Sequence, residues 1–460
     1  MRTDKFLSRA SFVALFAFMF GGVYGQDSLS VTASQPEPVK LDTLDLSLQQ
    51  AIEVAMNENP TVKVNEMEIT KANYARRESR AGLFPNIGAS GSYTRNVKKQ
   101  VMSFAGQNME IGTDNQWSAG FNAGMPLVNV TLWKSIQLSD AAVDAKVQAA
   151  LSSKISLVSQ VIAGYYQILN AQDSYEVLKK SYNLAVENYD IAKKRYNQGM
   201  ASEYDALQAE VQVKNLKPTL LSTENAIELL KLQLKVLMGV PSSQPIKVQG
   251  SLADYEQDMF EVADVTDMDS ALMDNPTLKE LEISTNLLEK QLELQKAQWY
   301  PTLSLSFVYQ WISQNDNFKM ADYEWNPYST LGLTLSIPIF QGGARYYKQK
   351  QAQIAYDEMQ YTVEDVRYKL GMQVQSAIDN IRVAVEKIEA TKDAKESAEK
   401  GLRISQKRYE VGAGSFLELT SSDNANTQAQ HAYFQAIYDY IVAKNSLDEV
   451  LGNAYNEYIK

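Results

Sequence analysis

A chain of 460 residues, 45% hydrophobic and 22% charged, is long enough for several domains, yet it carries no cysteine and a single histidine. That composition excludes a disulfide framework, a thiol nucleophile, a thiolate metal site and a lipid-modified N-terminal cysteine. The lone His431 supplies no metal cluster and reads as a surface or packing residue. A formal charge of −11 argues against a nucleic-acid partner, which would need a basic face.

Residues 1–25 read as a secretory signal peptide. Arg2, Lys5 and Arg9 precede an apolar run from Ala10 to Phe20, and Val23-Tyr24-Gly25 supplies the small-residue pattern that follows. The run is too short to span a bilayer permanently. No later stretch reaches ~18 consecutive apolar residues, so no transmembrane helix is expected downstream. Loss of the signal removes three cations and Asp4, leaving a charge of about −13. Residues 26–45 are polar, contain proline, lack periodicity and read as a flexible leader.

The remainder reads as one unit used twice, at 46–240 and 269–460, joined by an inter-repeat linker or equatorial segment at 241–268. Asn59-Pro60-Thr61-Val62-Lys63 returns 216 residues later as Asn275-Pro276-Thr277-Leu278-Lys279, and Pro85 returns at the same offset as Pro301. In each copy Asn is the expected N-cap and Pro the first helical residue. The acidic residues of the linker lack the spacing of a calcium loop and read as solvated surface, and no cofactor or metal is expected.

Two strands are expected in each unit, at about 86–96 and 115–126, then at about 301–312 and 328–338. In the second unit Leu303, Leu305, Phe307, Tyr309 and Trp311, then Leu331, Leu333, Leu335 and Ile337, alternate with Thr, Ser, Gly and Gln. In the first, Ile87, Tyr93, Trp117, Phe121 and Met125 share the apolar parity with Ala and Gly, a weaker stripe. Ten residues is the length a tilted strand needs to cross a bilayer. Aromatics gather at both ends of the second pair, Trp299 and Tyr300 at one and Tyr309, Trp311, Trp325 and Tyr328 at the other, as at membrane interfaces. The apolar parity, with Leu303, Leu305, Phe307, Tyr309, Trp311, Leu331, Leu333, Leu335, Trp117 and Phe121 as its main members, is the expected lipid face. Gly88, Gly91, Gly120 and Gly124 read as easing curvature or close packing.

Each second strand leads into a proline-free helical stretch, about 128–197 and 342–410, a rod of roughly 100 Å. Apolar residues step by four and three: Leu151, Ile155, Val158, Ile162, Tyr165 and Leu169, then Tyr175, Leu178, Tyr182, Ala185, Tyr189, Ala192 and Tyr196. Ile378, Ile381, Val385 and Ile388 do the same in the second rod, and a mean spacing of 3.5 is a coiled-coil seam. Gly199 and Gly412 are the expected helix C-caps. Ser202 and Ser415 cap the returning helices, 202–238 and 415–451, with Asp205 and Glu418 as capping-box acids. Pro218 is expected to break or kink the first returning helix.

Four strands cannot close a barrel, and open edges are not tolerated in lipid, so other copies must complete it. Three copies give twelve strands with the polar parity lining water, and the rods continue the barrel as a helical tunnel. The expected fold class is therefore a mixed membrane β-barrel plus a long α-helical coiled-coil barrel, with four strands per chain, an internal two-fold repeat and closure as a trimer.

The duplicated Asn-Pro…Pro unit and the tip pattern Arg-Tyr-x-x-Gly-x-x-Ser-x-x-(Asp/Glu), at 195–205 and 408–418, resemble the TolC family of outer-membrane efflux proteins over nearly the whole mature chain. The resemblance implies a homotrimeric exit duct without enzymatic activity, set in the outer membrane of a Gram-negative cell and extending into the periplasm. It implies a periplasmic adaptor (a membrane fusion protein) and an inner-membrane pump of RND or ABC type, in tripartite efflux or type I secretion. The implied adaptor-docking tips carry Arg195, Tyr196, Gly199, Ser202, Arg408, Tyr409, Gly412 and Ser415.

Glu418 occupies the position of a periplasmic gate carboxylate in some members, and Asp205 is its first-repeat counterpart. A second gate carboxylate would fall at Ser421 and a tip arginine at Gly414, so the gate is thinner or differently built. Glu418 and Asp205 also read simply as capping acids, and Lys194, Arg195, Lys407 and Arg408 as cations that suit a helix C-terminus. A periplasmic coiled-coil structural or adhesion protein is the second reading. An enzyme finds no nucleophile–base pair or phosphate loop, and a general diffusion porin needs more strands and no long helices.

Overall fold

The computed structural model describes residues 43–104, 106–258, 271–319 and 323–453; the expected signal peptide, leader residues 26–42 and linker residues 259–268 lie outside them. In chain order the elements are β1 (Leu44–Leu46), α1 (Leu48–Glu58), α2 (Pro60–Ala81), β2 (Asn86–Arg95), β3 (Gln100–Phe104), β4 (Gln107–Ile111), β5 (Asn115–Val128), α3 (Val130–Asn197) and α4 (Glu203–Met238). They continue with β6 (Ile246–Val248), a 3-10 turn (Leu252–Asp258), α5 (Pro276–Ala297), β7 (Thr302–Asn315), β8 (Asn326–Ser336), α6 (Ala344–Glu410) and α7 (Phe416–Leu451).

Four long strands form one antiparallel sheet in the order β2-β5-β7-β8, so β2 and β8 are its edges. Strands β5 and β7 approach so closely at Gly120 that an added Cβ would collide with the Tyr309 carbonyl oxygen. Four further strands depart from the expected four per chain. β3 and β4 form a separate hairpin beyond the distal end of β2 and β5, and β1 pairs in parallel with β6. At three to five residues these strands are too short to display a period of two. Leu44 and Asp45, expected in the flexible leader, belong to β1, and the inter-repeat segment holds β6 and the 3-10 turn.

The helices lie in a layer. α4 and α7 run back along α3 and α6 as two hairpins, and α3 packs on α7, giving the order α4-α3-α7-α6. Nearer the sheet the order is α2-α3-α5-α6. Thus α2 takes over where α4 stops, and α5 where α7 stops, each pair lying end to end beside a rod of 68 or 67 residues.

The repeated Asn-Pro motif makes those two junctions. Asn59 Oδ1 accepts from Thr61 N at 2.7 Å, while its Nδ2 donates to Leu237 O, in the last turn of α4, at 2.7 Å. Asn275 accepts from Leu278 N at 2.8 Å and donates to Val450 O, in the last turn of α7, at 2.6 Å. One amide therefore caps the helix that starts and satisfies a free carbonyl of the helix that ends. Gly239 and Gly452 end α4 and α7 at φ 69° and 75°, packed against the carbonyls of Glu58 and Asp274.

α4 runs without interruption through Pro218. Beside it the Thr219 hydroxyl donates to Asn215 O and that of Thr223 to Thr219 O, back-bonding within the helix. The main core lies at mid-length of the rods, where Val158, Val161, Ile162, Ile168 and Leu169 of α3 meet Ile381 and Ile388 of α6 and Tyr433, Ile437 and Tyr440 of α7. Tyr165, buried there, donates to Gln249 O at 2.7 Å and Leu46 O at 3.2 Å, anchoring the β1–β6 ribbon; burial pushes its phenol up to about 12.

Candidate functional site

Directly opposed residues of neighbouring strands share a face. The register sets Ala123 opposite Phe307 and Phe307 opposite Leu331; Met125 opposite Leu305 and Leu305 opposite Leu333; and Leu303 opposite Leu335. Ile87, Tyr93, Trp117, Phe121, Tyr309 and Trp311 fall on that same face. The expected lipid-facing residues are thus brought together, and Leu331, Leu333 and Leu335 are 74%, 67% and 59% exposed. Trp117 sits differently from the leucines. Its ring lies under Phe318 of the β7–β8 loop, centroids 6.4 Å apart, beside Tyr93, whose hydroxyl donates to Asn115 Oδ1 at 2.8 Å.

The two hairpin tips are copies of one another. At α3–α4, Gly199 takes φ 71°, its N–H donates to Tyr196 O and that of Met200 to Arg195 O. At α6–α7, Gly412 takes φ 79°, its N–H donates to Tyr409 O and that of Ala413 to Arg408 O. These paired bonds satisfy the last carbonyls of each rod, which explains the glycine. Ser202 and Ser415 then cap the returning helices, their hydroxyls accepting from Asp205 N and Glu418 N, each at 3.2 Å.

The acids do not close the expected capping boxes. Asp205 Oδ2 accepts from the Ser202 hydroxyl at 2.7 Å, and Glu418 Oε2 lies 3.6 Å from Arg408 Nη2. The reciprocal box forms instead at Ser47 and Gln50, which starts α1. Ser421, one turn beyond Glu418, is exposed.

One arginine joins the tips. Arg195 Nη2 donates to Tyr409 O at 3.1 Å and Glu410 O at 3.0 Å, and its guanidinium lies over the Tyr409 ring at 5.0 Å. Tyr409 is buried. That burial pushes its phenol up; Arg195 opposes the shift and Asp205 adds to it. Arg195, Tyr409 and Asp205 therefore form one cluster, while Glu418 belongs to a second with Arg408. Around them Met200, Tyr204, Val411 and Leu417 are exposed.

Sequence periodicity missed a polar ladder between α3 and α7. In the half of α3 nearest the tips, Ala185 and Ala192 of the expected seam are buried, and Ser181 and Asn188 are buried beside them, whereas the seam's Tyr175, Tyr182 and Tyr189 are only partly buried. Small and polar residues let the two rods approach, and α7 supplies their partners. Ser181 Oγ donates to Asp423 Oδ2 at 2.6 Å, His431 Nδ1 lies 3.0 Å from Ser174 Oγ, Ser159 Oγ donates to Glu449 Oε2 at 2.6 Å, and Asn445 Nδ2 donates to Ser159 O at 3.0 Å. The only sequence signal was an acid, Asp423, four residues from the buried Leu419 on one helix face.

Burial pushes the Asp423 carboxyl up, the Ser181 hydrogen bond opposing it. The folded state then holds this proton over a pH range in which the unfolded chain has lost it. Stability falls as pH rises from the unfolded value near 3.8 through the raised folded value. Asp423→Asn is expected to remove that slope and to raise the unfolding temperature at neutral pH, measured by thermal unfolding of detergent-solubilised protein from pH 4 to 8. An unaltered pH profile would mean that Asp423 is ionised in the fold.

The layer has two unpartnered sides. Along α6, Tyr347, Ile354, Tyr361 and Tyr368 are exposed at intervals of seven. On the far side, Val64, Met67 and Tyr74 of α2 and Val211, Leu221, Leu229 and Val236 of α4 are exposed. Among the described residues no helix is long and apolar enough to cross a membrane, and no group of three or more His, Cys, Asp or Glu could hold a metal.

A family model described as outer membrane efflux protein matches residues 51–240 and 268–453. Outer membrane protein TolC of Vibrio cholerae serotype O1 is 22% identical over 381 residues, covering 81% of this chain and 83% of that protein. Outer membrane protein TolC of Escherichia coli K12 is 21% identical over 423 residues, 88% of this chain and 82% of that one. Among solved structures, the outer membrane protein VceC of Vibrio cholerae shares the fold with a TM-score of 0.71 at 16% identity, covering 88% of this chain and 96% of that one.

Proposed function

Because the chain belongs to the outer membrane efflux protein family, we propose that it works as a homotrimer whose three sheets close into a twelve-stranded barrel, continued by a tunnel of helices. The protein is an outer-membrane exit duct of efflux and type I secretion systems, set in a Gram-negative outer membrane and reaching into the periplasm.

The observation that carries the trimer is the sheet itself, apolar on one exposed face and open at both edges. Unpaired backbone groups cost several kcal/mol each in hydrocarbon, a penalty relieved when β2 of one copy pairs with β8 of the next. The same head-to-tail contact lays the exposed stripe of α6 against the α2 and α4 side of its neighbour. β8, 11 residues long and tilted about 40°, spans about 28 Å, close to the hydrocarbon band of such barrels. Lipid covers the leucine face, and the polar face lines the bore.

The tips are the docking surface for a periplasmic adaptor, itself joined to an inner-membrane pump of RND or ABC type. Exposed Met200, Tyr204, Val411 and Leu417 beside Arg195, Tyr196, Gly199, Ser202, Arg408, Tyr409, Gly412 and Ser415 support that assignment. Asp205, Glu418 and Ser421 border the periplasmic entrance as its gate. The duct is passive, and transport energy comes from its partners.

Heat-modifiable trimers in outer-membrane fractions, with single-channel conductance in planar bilayers, test the assembly; a soluble periplasmic monomer would overturn it. Arg195→Ala removes two charged hydrogen bonds and a cation–π contact, of order 2–3 kcal/mol at this partly exposed site. It is expected to lengthen channel openings, and unaltered gating would leave Arg195 a structural brace only. Glu418→Ala is expected to weaken block of conductance by multivalent cations; unaltered block would leave it outside the gate.

A further inference from the structure

The four strands of the sheet contain one charged side chain, Arg95, at the distal end of β2 and on the leucine face. It stands one same-face step beyond Tyr93, which adds about 5 Å along the axis of a barrel whose strands tilt by about 40°. Tyr93 packs on Trp117 in the aromatic group that suits a membrane interface, so Arg95 falls where lipid headgroups begin. The β7–β8 loop brings a second cation to that level. Phe318 rests against the outward rings of Trp117 and Tyr93, centroids 6.4 and 6.0 Å away, so the loop folds down over the lipid side of the sheet and carries Lys319 with it. Lys98 comes from the turn between β2 and β3.

The acids of this rim are engaged elsewhere. Lys99 Nζ lies 2.8 Å from Asp316 Oδ1 and 3.3 Å from Asp114 Oδ1, and Asp316 Oδ1 also accepts from Asp114 N at 2.9 Å. Glu324 lines a cavity with Ile312, Gln314 and Tyr328, on the opposite face of the sheet, and Glu110 stands farther out, in β4. Arg95, Lys98 and Lys319 are exposed and form no ion pair among the described residues. On a chain of charge −11, these cations gather beside an apolar face. We propose that this rim binds the phosphorylated headgroup of an outer-leaflet glycolipid. The planar guanidinium of Arg95 suits a phosphate through two parallel hydrogen bonds, and Lys98 and Lys319 add point charges. A free phosphate ion would use the cations alone, whereas the leucine face directly below them favours an anion that carries acyl chains. Because β2 is the edge that meets β8 of the next copy, the bound lipid lies at the seam between subunits. The inference rests on the reading in which the leucine face meets lipid.

The test titrates radiolabelled lipid A, with and without its phosphate groups, against the purified full-length trimer in detergent. The unaltered trimer is expected to bind the phosphorylated form at least ~10-fold more tightly. Arg95→Gln combined with Lys98→Gln and Lys319→Gln is expected to lose that preference. Lys217→Gln combined with Lys247→Gln and Lys400→Gln, which removes the same charge from exposed sites on α4, β6 and α6, is expected to keep it. Arg95→Gln alone, expected to weaken binding about fivefold, serves if the triple change prevents assembly. Millimolar inorganic phosphate is expected to leave lipid binding unaltered. Equal binding by the unaltered and the neutralised trimer, equal binding of the two lipids, or displacement by inorganic phosphate would each overturn the proposal while leaving the duct intact. A soluble monomer that binds neither lipid would overturn the duct reading with it.

Discussion

Leu331→Arg is expected to leave almost no trimer in the outer membrane, while Thr330→Arg, one residue earlier, assembles normally. Leu331 lies at the middle of β8, opposite Phe307, and is 74% exposed on the apolar face. An arginine at the bilayer midplane of a barrel costs about 2–4 kcal/mol, and a trimer incurs it three times, roughly 6–12 kcal/mol. That is comparable with the whole folding stability of a typical domain. Thr330 sits opposite Val308 on the other face, where a long cation reaches water in the bore. The readout is the heat-modifiable trimer band in outer-membrane fractions. Equal yields from the two variants would mean that the faces do not separate lipid from water.

The second large effect concerns two glycines with nearly the same backbone. Gly412 at a tip and Gly452 at the α7–α5 junction have φ of 79° and 75°. Alanine at Gly412 would meet nothing within 4 Å, so its cost is the left-handed conformation alone, about 1–2 kcal/mol. Alanine at Gly452 would place its Cβ 2.5 Å from the Asp274 carbonyl oxygen. Relief requires opening the junction and losing the bond from Asn275 to Val450 O, which adds about 1–3 kcal/mol for the polar groups left unsatisfied. Gly452→Ala is therefore expected to lower the trimer dissociation temperature well below that of Gly412→Ala, and Gly239→Ala, facing Glu58 O at 2.5 Å, to behave like Gly452→Ala. Equal shifts would mean that the junctions yield without cost.

These junctions also show how far the sequence could be read. Asn-Pro announces a helix start from local chemistry alone, because the cap and the first helical residue are neighbours in the chain. Its second task, donating to a carbonyl 178 or 175 residues away, left no local trace. The tips divide in the same way. Gly199 and Ser202 are legible as cap and restart because each answers to bonds within a few residues. The reach of Arg195 to Tyr409, 214 residues on, is not. In the lower part of α3 the apolar spacing suggested a seam through Tyr182, Ala185, Tyr189 and Ala192; the alanines are buried, but the neighbouring rod closes over Ser181 and Asn188 beside them and leaves the tyrosines at the margin. Heptad spacing marks a face that can pack, and does not say which of two adjacent faces meets which helix.

The sequence by itself determined the elements: period-two strands of bilayer length, rods with a 3.5-residue repeat, glycine and serine at the turns, and a unit used twice. Those properties reside in the dihedral preferences and the spacing of near neighbours, so they can be read without a fold. Only the tertiary structure decided the strand order β2-β5-β7-β8 with its two open edges, the end-to-end helix junctions and the polar ladder between α3 and α7. The β5–β7 pairing at the centre of that sheet, the junctions and the ladder each join groups more than a hundred residues apart, where the pairing is set by which surfaces close on one another and not by any local preference of the chain.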